Sequence, residues 1–220
     1  MKLVALTSGG KDSILSIQKA IDEGHEVTHM ITVVPENKES YMFHTTNLAA
    51  VSVMADRGGM EYLEIPTRGE KEEEIRDMKH GMETIVADGI ITGAIASEYQ
   101  RSRFSAVCSE LGMQLYAPLW GLPPISVVTE VANRMDARIV VVATDGLNEN
   151  VLGKRIDVNL IQVLKAVEAR YRIHIAGEGG EYESLVLDAP FFSSPLHVDE
   201  PAISLYGSSG RQHTRGSGNN

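Results

Sequence analysis

Short β-branched apolar runs alternate with stretches of helical periodicity through the first half of the chain, and few folds accept that order. Lys2–Leu6 is a compact apolar run, followed by Ser13–Ile21 with Ile14, Leu15, Ile17 and Ile21 at helical spacing. Val27–Val34 is β-rich and stops at Pro35, Asn47–Asp56 reads as a helix, and Glu61–Ile65 reads as a strand ended by Pro66. Glu70–Ala87 reads as a long helix whose acidic first turn suits the positive end of the helix dipole and whose charges form a solvated face. Gly89–Ala96, Tyr99–Leu111 and Met113–Leu119 continue as strand, helix and strand. A helix in every crossover forces neighbouring strands to run parallel. The pattern therefore predicts an α/β fold, a five-stranded doubly wound parallel sheet.

Gly121-Leu122-Pro123-Pro124 breaks the rhythm and marks a domain boundary. Residues 1–121 are expected to form the first domain and 122–206 a smaller α+β domain. The latter holds helices over Ile125–Met135 and Val158–Tyr171, a strand over Arg138–Ala143, and short apolar runs at Ser184–Leu187 and Ala202–Tyr206. Residues 207–220 contain no large apolar side chain, so a flexible tail is expected there.

Composition narrows the function classes. With 43% hydrophobic and 23% charged residues the chain buries a core, which excludes a disordered protein, a collagen and a disulfide-stapled mini-protein. Thirty acidic side chains outweigh twenty basic ones, giving a net charge of −10. That balance argues against a phosphate-clamping surface, so no nucleic acid is expected as partner. Cys108 is the single cysteine, which excludes an internal disulfide, a multi-cysteine zinc site and a pair of cooperating thiols. It shares a helix face with Phe104, Val107 and Leu111, so it reads as core. No apolar run approaches the ~20 residues of a membrane span, and Met1–Leu6 is too short for a signal peptide; a cytoplasmic protein without membrane contact is expected.

The most informative stretch is Ser8-Gly9-Gly10-Lys11-Asp12-Ser13, between the first strand and the first helix. Paired glycines let the backbone approach an anion, and the first amides of the helix point to the same place. Lys11 adds a cation, Ser8 and Ser13 add hydroxyls, and Asp12 is tolerable beside phosphate if it holds a divalent metal or backbone amides. The loop thus suits a phosphate chain with Mg²⁺. It is no Walker A loop, because Ala5 stands where the first glycine belongs and Asp12 where Ser or Thr follows the lysine. Nor does Gly9-Gly10 provide the spacing of a dinucleotide fingerprint. The string resembles the pyrophosphate-binding loop of the PP-loop ATP pyrophosphatase superfamily, whose fold is adenine-nucleotide α-hydrolase-like. That resemblance implies ATP cleavage between the α and β phosphates and adenylation of an acceptor.

Further segments sharpen it: Tyr41-Met42-Phe43-His44, Ser97-Glu98-Tyr99-Gln100-Arg101-Ser102-Arg103, Pro118-Leu119-Trp120-Gly121, Ala143-Thr144-Asp145-Gly146-Leu147, Leu152-Gly153 and Gly177-Glu178-Gly179-Gly180-Glu181-Tyr182-Glu183-Ser184. Together with the loop they are similar to the archaeal diphthine–ammonia ligase family. The resemblance implies ATP-dependent amidation by ammonium of the diphthine carboxylate on translation elongation factor 2, through an acyl adenylate, with release of AMP and pyrophosphate. With no cysteine available for a glutaminase, ammonia would arrive free. Rival readings are another ATP pyrophosphatase acting on tRNA or a small carboxylate, and a nucleotide-binding sensor without transfer. A homodimer is compatible with the sequence.

In doubly wound sheets ligands sit beyond the carboxyl ends of the strands, near the switch in strand order. Ser8–Ser13, Phe43, His44, Arg101 and Arg103 are therefore candidates to bind ATP: Phe43 or His44 on adenine, the arginines on phosphate. Lys11 would stabilise the departing pyrophosphate and Asp12 would hold Mg²⁺. Glu98, at a strand-to-helix junction, is a candidate base, metal ligand or ammonium-positioning group, or simply stabilises its helix. Glu178, Glu181 and Glu183 lie within six residues among Gly179, Gly180 and Tyr182; composition alone makes this an exposed acidic turn. The resemblance instead implies a substrate-binding segment, where carboxylates attract ammonium and the trimethylammonium of diphthine. Tyr182 and Trp120 would add cation–π contact worth ~0.5–2 kcal/mol.

Overall fold

The computed structural model describes residues 1–35, 48–68, 73–197, 204–206 and 212–214. Its first half alternates β1 (Lys2–Leu6), α1 (Lys11–Asp22), β2 (Glu26–Pro35), α2 (Leu48–Gly58), β3 (Glu61–Thr67), α3 (Glu73–Met82), β4 (Gly89–Ile91), α4 (Glu98–Leu111) and β5 (Gln114–Tyr116). The five strands pair in the order β3-β2-β1-β4-β5, and every pairing is parallel. The expected doubly wound sheet is present. Strand periodicity divides β1 between two apolar layers: Leu3 and Ala5 face one cluster, Val4 and Leu6 the other. Both faces are covered by helices, which is why the run reads as continuously apolar. Strand order reverses at β1, so a crevice opens beyond the ends of β1 and β4.

The second half contributes α5 (Pro124–Arg134), β6 (Asp136–Val142), α6 (Val158–Tyr171), β7 (Tyr182–Asp188), β8 (Ser204–Tyr206) and β9 (Gln212–Thr214). These strands form a mixed sheet ordered β7-β6-β8-β9, with β6 and β8 parallel and the other pairs antiparallel. One face of the first sheet packs its own cluster of Val4, Ile31, Met78, Ile90 and Phe104, while its other face shares a core with the second sheet. One buried cluster runs from Leu3, Ile14 and Ile17 through Val127 and Val131 to Ile139, Leu164 and Val186. Ion pairs Lys19–Glu130 (2.8 Å) and Asp22–Arg134 (2.6 Å) fasten α1 to α5 at the rim of this contact.

Four local expectations differ from the structure. The strand expected over Gly89–Ala96 leaves the ladder after Ile91, because residues 95–97 turn their amides to a side chain of the second half. The strand expected over Met113–Leu119 is likewise confined to Gln114–Tyr116, the residues that pair with β4. In α3, Glu74 is fully buried, not solvated, since it shares an inward i, i+4, i+8 face with Met78 and Met82. Within the tail expected to be flexible, Gln212–Thr214 pairs with β8, and main-chain pairing requires no apolar side chain.

Gly93 sets the closeness of β4 to α1: a Cβ there would lie 2.7 Å from the Ser13 nitrogen and 2.9 Å from the Asp12 carbonyl carbon. These are backbone atoms that cannot step aside. Gly93→Ala is expected to destabilise the fold by about 1–3 kcal/mol, read as a lower urea midpoint at unchanged slope. An unchanged midpoint would show that the helix is free to shift.

Candidate functional site

The crevice beyond β1 and β4 is roofed by β7 and the loop preceding it. Leu6, Thr7, Ser8, Gly10, Lys11, Asp12 and Ser13 line one wall, and residues 92–95 with Gln100 and Phe104 line the next. Gly177, Glu178, Gly180, Tyr182, Glu183 and Ser184 close it from the second half of the chain. The enclosed space is ≈ 210 Å³. It thus brings together the glycine-rich loop and the acidic segment, which stand far apart along the chain.

The Ser8–Ser13 loop is built by short local bonds. Gly9 takes a φ of 77°, the left-handed region that suits glycine. The Gly9 amide donates to Thr7 Oγ1 at 3.0 Å, and Ser13 Oγ donates to the Gly10 carbonyl at 3.0 Å. Thr7 and Ser13 hydroxyls lie 2.7 Å apart, closing a ring around the turn. Gly10, the residue capping α1, has no side chain to satisfy the first helical amide. Ser184 Oγ does so from β7, accepting from the Lys11 amide at 3.1 Å, and the Val186 amide donates to the Gly9 carbonyl at 3.1 Å. Ser184 is therefore part of the loop's construction. Residue spacing does not single it out for this part, because a cap supplied across the fold leaves no local pattern.

Lys11 is 4% exposed. Its ammonium donates to Asp12 Oδ2 at 2.8 Å and to the Ala176 carbonyl, and it stands 5.1 Å over the Tyr182 ring. Burial disfavours the charge, but the Asp12 carboxylate, with Tyr182 and Glu178, outweighs it and holds the lysine pKa above its ordinary value. Burial also pushes the Asp12 carboxyl upward, against the pull of Lys11. Tyr182 is pushed up to about 12, chiefly by burial, and its hydroxyl donates to the Ile175 carbonyl at 2.8 Å. The Ser8–Ser13 loop and the chain leading into β7 thus meet around one buried ammonium.

Asp12 Oδ1 is buried without a hydrogen-bond partner, in a residue that lines the cavity. A hard divalent cation fits that orphaned oxygen. Among the described residues no group of three or more His, Cys, Asp or Glu side chains could hold a metal unaided. Mg²⁺ of the kind held by one carboxylate together with substrate phosphates matches this donor set. Thr92 Oγ1 is a second buried oxygen without a partner on the cavity wall.

The acidic segment divides by role. Glu178 Oε1 accepts three consecutive amides, from Ile95 (3.1 Å), Ala96 (2.8 Å) and Ser97 (3.1 Å). Glu181 Oε1 accepts from the His174 amide at 2.6 Å, and its Oε2 is buried without a partner. A Cβ on Gly179 would lie 2.8 Å from Glu181 Oε1, so a side chain there would displace the end of Glu181. Glu183, at the start of β7, lines the cavity beside Ser184. Gly180, with φ 82°, completes the turn.

Other expected residues stand elsewhere. Glu98, Arg101, Arg103 and Trp120 do not line the cavity. Glu98 is 76% exposed with Arg101 at 3.7 Å, Arg101 lies 4.6 Å over the Trp120 ring, and Arg103 lies 3.6 Å over the Tyr99 ring. The reason is helical phase: Gln100 and Phe104 turn inward at i, i+4, which rotates positions 98, 101 and 103 away. Phe43 and His44 lie outside the described residues. Cys108 is buried, with its thiol pushed up to about 11 by that burial, so it is core and no nucleophile.

Comparison with known proteins accounts for both halves. Residues 1–115 match the family described as diphthamide synthase N-terminal domain, and residues 123–216 the diphthamide synthase C-terminal domain. A Danio rerio protein named diphthine–ammonia ligase is 32% identical over 224 residues, covering 90% of this chain and 87% of its own. The Homo sapiens protein of that name is 30% identical over 230 residues, covering 94% and 86%. A solved Methanocaldococcus jannaschii chain, described as a predicted subunit of tRNA methyltransferase, aligns over 86% of this chain and 98% of its own, with a TM-score of 0.48 and 16% identity. Two domain matches in sequence order, joined by relatives aligned across nine-tenths of the chain, place this protein in the diphthamide synthase family.

Proposed function

We propose that this protein is an ATP-dependent diphthine–ammonia ligase, which amidates the diphthine carboxylate of translation elongation factor 2. The observation that carries the reading is the shared cavity formed by the Ser8–Ser13 loop and the Gly177–Ser184 segment. It offers one wall to a triphosphate and the other to a cationic acceptor.

ATP docks with its β- and γ-phosphates against the loop amides and the N-terminus of α1. Mg²⁺, when bound at Asp12, supplies positive charge to the phosphate oxygens. An oxygen of the diphthine carboxylate attacks the α-phosphorus, the bond to the bridging α–β oxygen breaks, and pyrophosphate leaves with the electron pair. Lys11, held charged by Asp12, sits beside the developing negative charge. Ammonia then attacks the acyl carbon, the bond to the AMP oxygen breaks, and AMP departs. Glu183, a carboxylate on the cavity wall, takes the proton lost by the nitrogen, and it also favours the trimethylammonium group of the acceptor. Glu98, exposed and off the cavity, is not assigned that part. Since Cys108 is buried core, ammonium is drawn from solution. Closure by β7 keeps water from the adenylate.

Incubation with diphthine-bearing elongation factor 2, ATP and ammonium chloride is expected to convert acid to amide by intact mass, with one AMP and one pyrophosphate per product. ADP and phosphate in their place would overturn the mechanism. A nucleotide sensor would make neither, and another ATP pyrophosphatase would make AMP independently of ammonium and the factor. Asp12→Asn is expected to lower AMP formation by about 10²-fold or more while the protein stays folded. Glu183→Gln is expected to lower amidation by about 10²–10⁴-fold at unchanged ATP affinity; an equal loss in ATP affinity would place Glu183 on the nucleotide instead.

A further inference from the structure

The amides of Ile95, Ala96 and Ser97 converge on one point at the N-terminus of the 14-residue helix α4. Three successive N–H groups backed by a helix dipole are a strong anion site. In this protein the anion is internal: Oε1 of Glu178, which arrives from the other half of the chain. The second carboxylate oxygen faces His174 Nε2 at 3.8 Å. His174 Nδ1 accepts from the Glu178 amide at 3.4 Å, which leaves Nε2 on the side of that oxygen. Oε1 of Glu178 is thus spent on three of the protein's own amides, the part of a positioning carboxylate, while Oε2 lies beyond hydrogen-bond reach of His174.

From this geometry we infer that Glu178 is a positioning residue, the latch that seats the acceptor-side loop across the nucleotide crevice, and not a contact for ammonium or trimethylammonium. The inference rests on the ligase reading above and refines it. Gly177 (φ 72°) and Gly180 (φ 82°) shape the loop, and the Gly180 amide closes its turn on the Gly177 carbonyl at 3.1 Å. That closure shapes the turn without fixing where it lies. The three bonds from residues 95–97 tie it to the segment following β4 at the switch in strand order, beside the Lys11 bond to Ala176 that ties it to the Ser8–Ser13 loop. By filling the amide nest, Glu178 also leaves the Ser8–Ser13 loop as the place for phosphate. With the latch undone the roof lifts, water reaches the acyl adenylate, and AMP is released without amide.

The test compares Glu178→Ala with Glu178→Gln, which keeps Oε1 as a neutral acceptor. In Glu178→Ala, amide exchange of the peptide spanning residues 95–97 is expected to quicken about tenfold or more. AMP released per amide formed is expected to rise severalfold, with the KM for ammonium little changed. Glu178→Gln is expected to restore slow exchange and near-normal coupling of AMP to amide. A tenfold rise in KM for ammonium or for the protein substrate in Glu178→Gln, with exchange unchanged, would overturn the latch and make Glu178 a charge contact. If Glu178→Ala fails to fold, Glu178→Gln alone decides by the same two readouts. If the wild-type protein makes no AMP, the ligase reading fails, while exchange at residues 95–97 still reports on the latch.

Discussion

The docking of β7 onto the turn that leaves β1 is the contact that joins the two sheets and closes the crevice between them. Two main-chain groups of that turn, the Lys11 amide and the Gly9 carbonyl, find their partners on Ser184 and Val186. A glycine cap cannot satisfy a helix N-terminus by itself, and a buried amide without a partner costs about 1–3 kcal/mol. The Ser8–Ser13 loop is thus incomplete until the second sheet is in place. The continuous apolar cluster from β1 to β7 makes the same point in packing: one face of the first sheet is buried only against the second half of the chain.

Charge reinforces this coupling. A buried lysine is tolerated only where its partners are well placed, and Lys11 has a carboxylate from its own loop and a carbonyl and aromatic ring from the other half. Asp12 in turn keeps one oxygen for the lysine and leaves the other without a protein partner. The charge on Lys11 is therefore held partly by Tyr182 and Glu178, which belong to the second half of the chain.

Several features of the chain are local enough to be legible in its residues alone. The alternation of period-2 and period-3.6 runs specifies the parallel sheet, since crossover helices leave no other strand direction. The Ser8–Ser13 loop is readable because its chemistry lies in six consecutive residues at a strand-to-helix junction. Strands β4 and β5 are shorter than their apolar runs, because apolar character continues past the last paired residue while hydrogen bonding does not. Arg101, Arg103 and Glu98 are attractive by residue type and adjacency, yet the phase of α4 presents Gln100 and Phe104 to the crevice. A fraction of one helical turn separates the two outcomes.

The amino-acid sequence alone settles the sheet and the family and singles out the Ser8–Ser13 loop, all of which rest on residues close together or on recurring patterns along the chain. What each carboxylate of this segment contacts is settled by folding. Glu178, Glu181 and Glu183 are alike in composition and nearly adjacent, but Glu178 is held by three amides, Glu181 by the His174 amide, and Glu183 is carried on β7 beside Ser184. Backbone N–H groups are the same at every residue and leave no mark in the sequence. Their partners are fixed only when the chain has folded and an acceptor from a distant segment comes within reach.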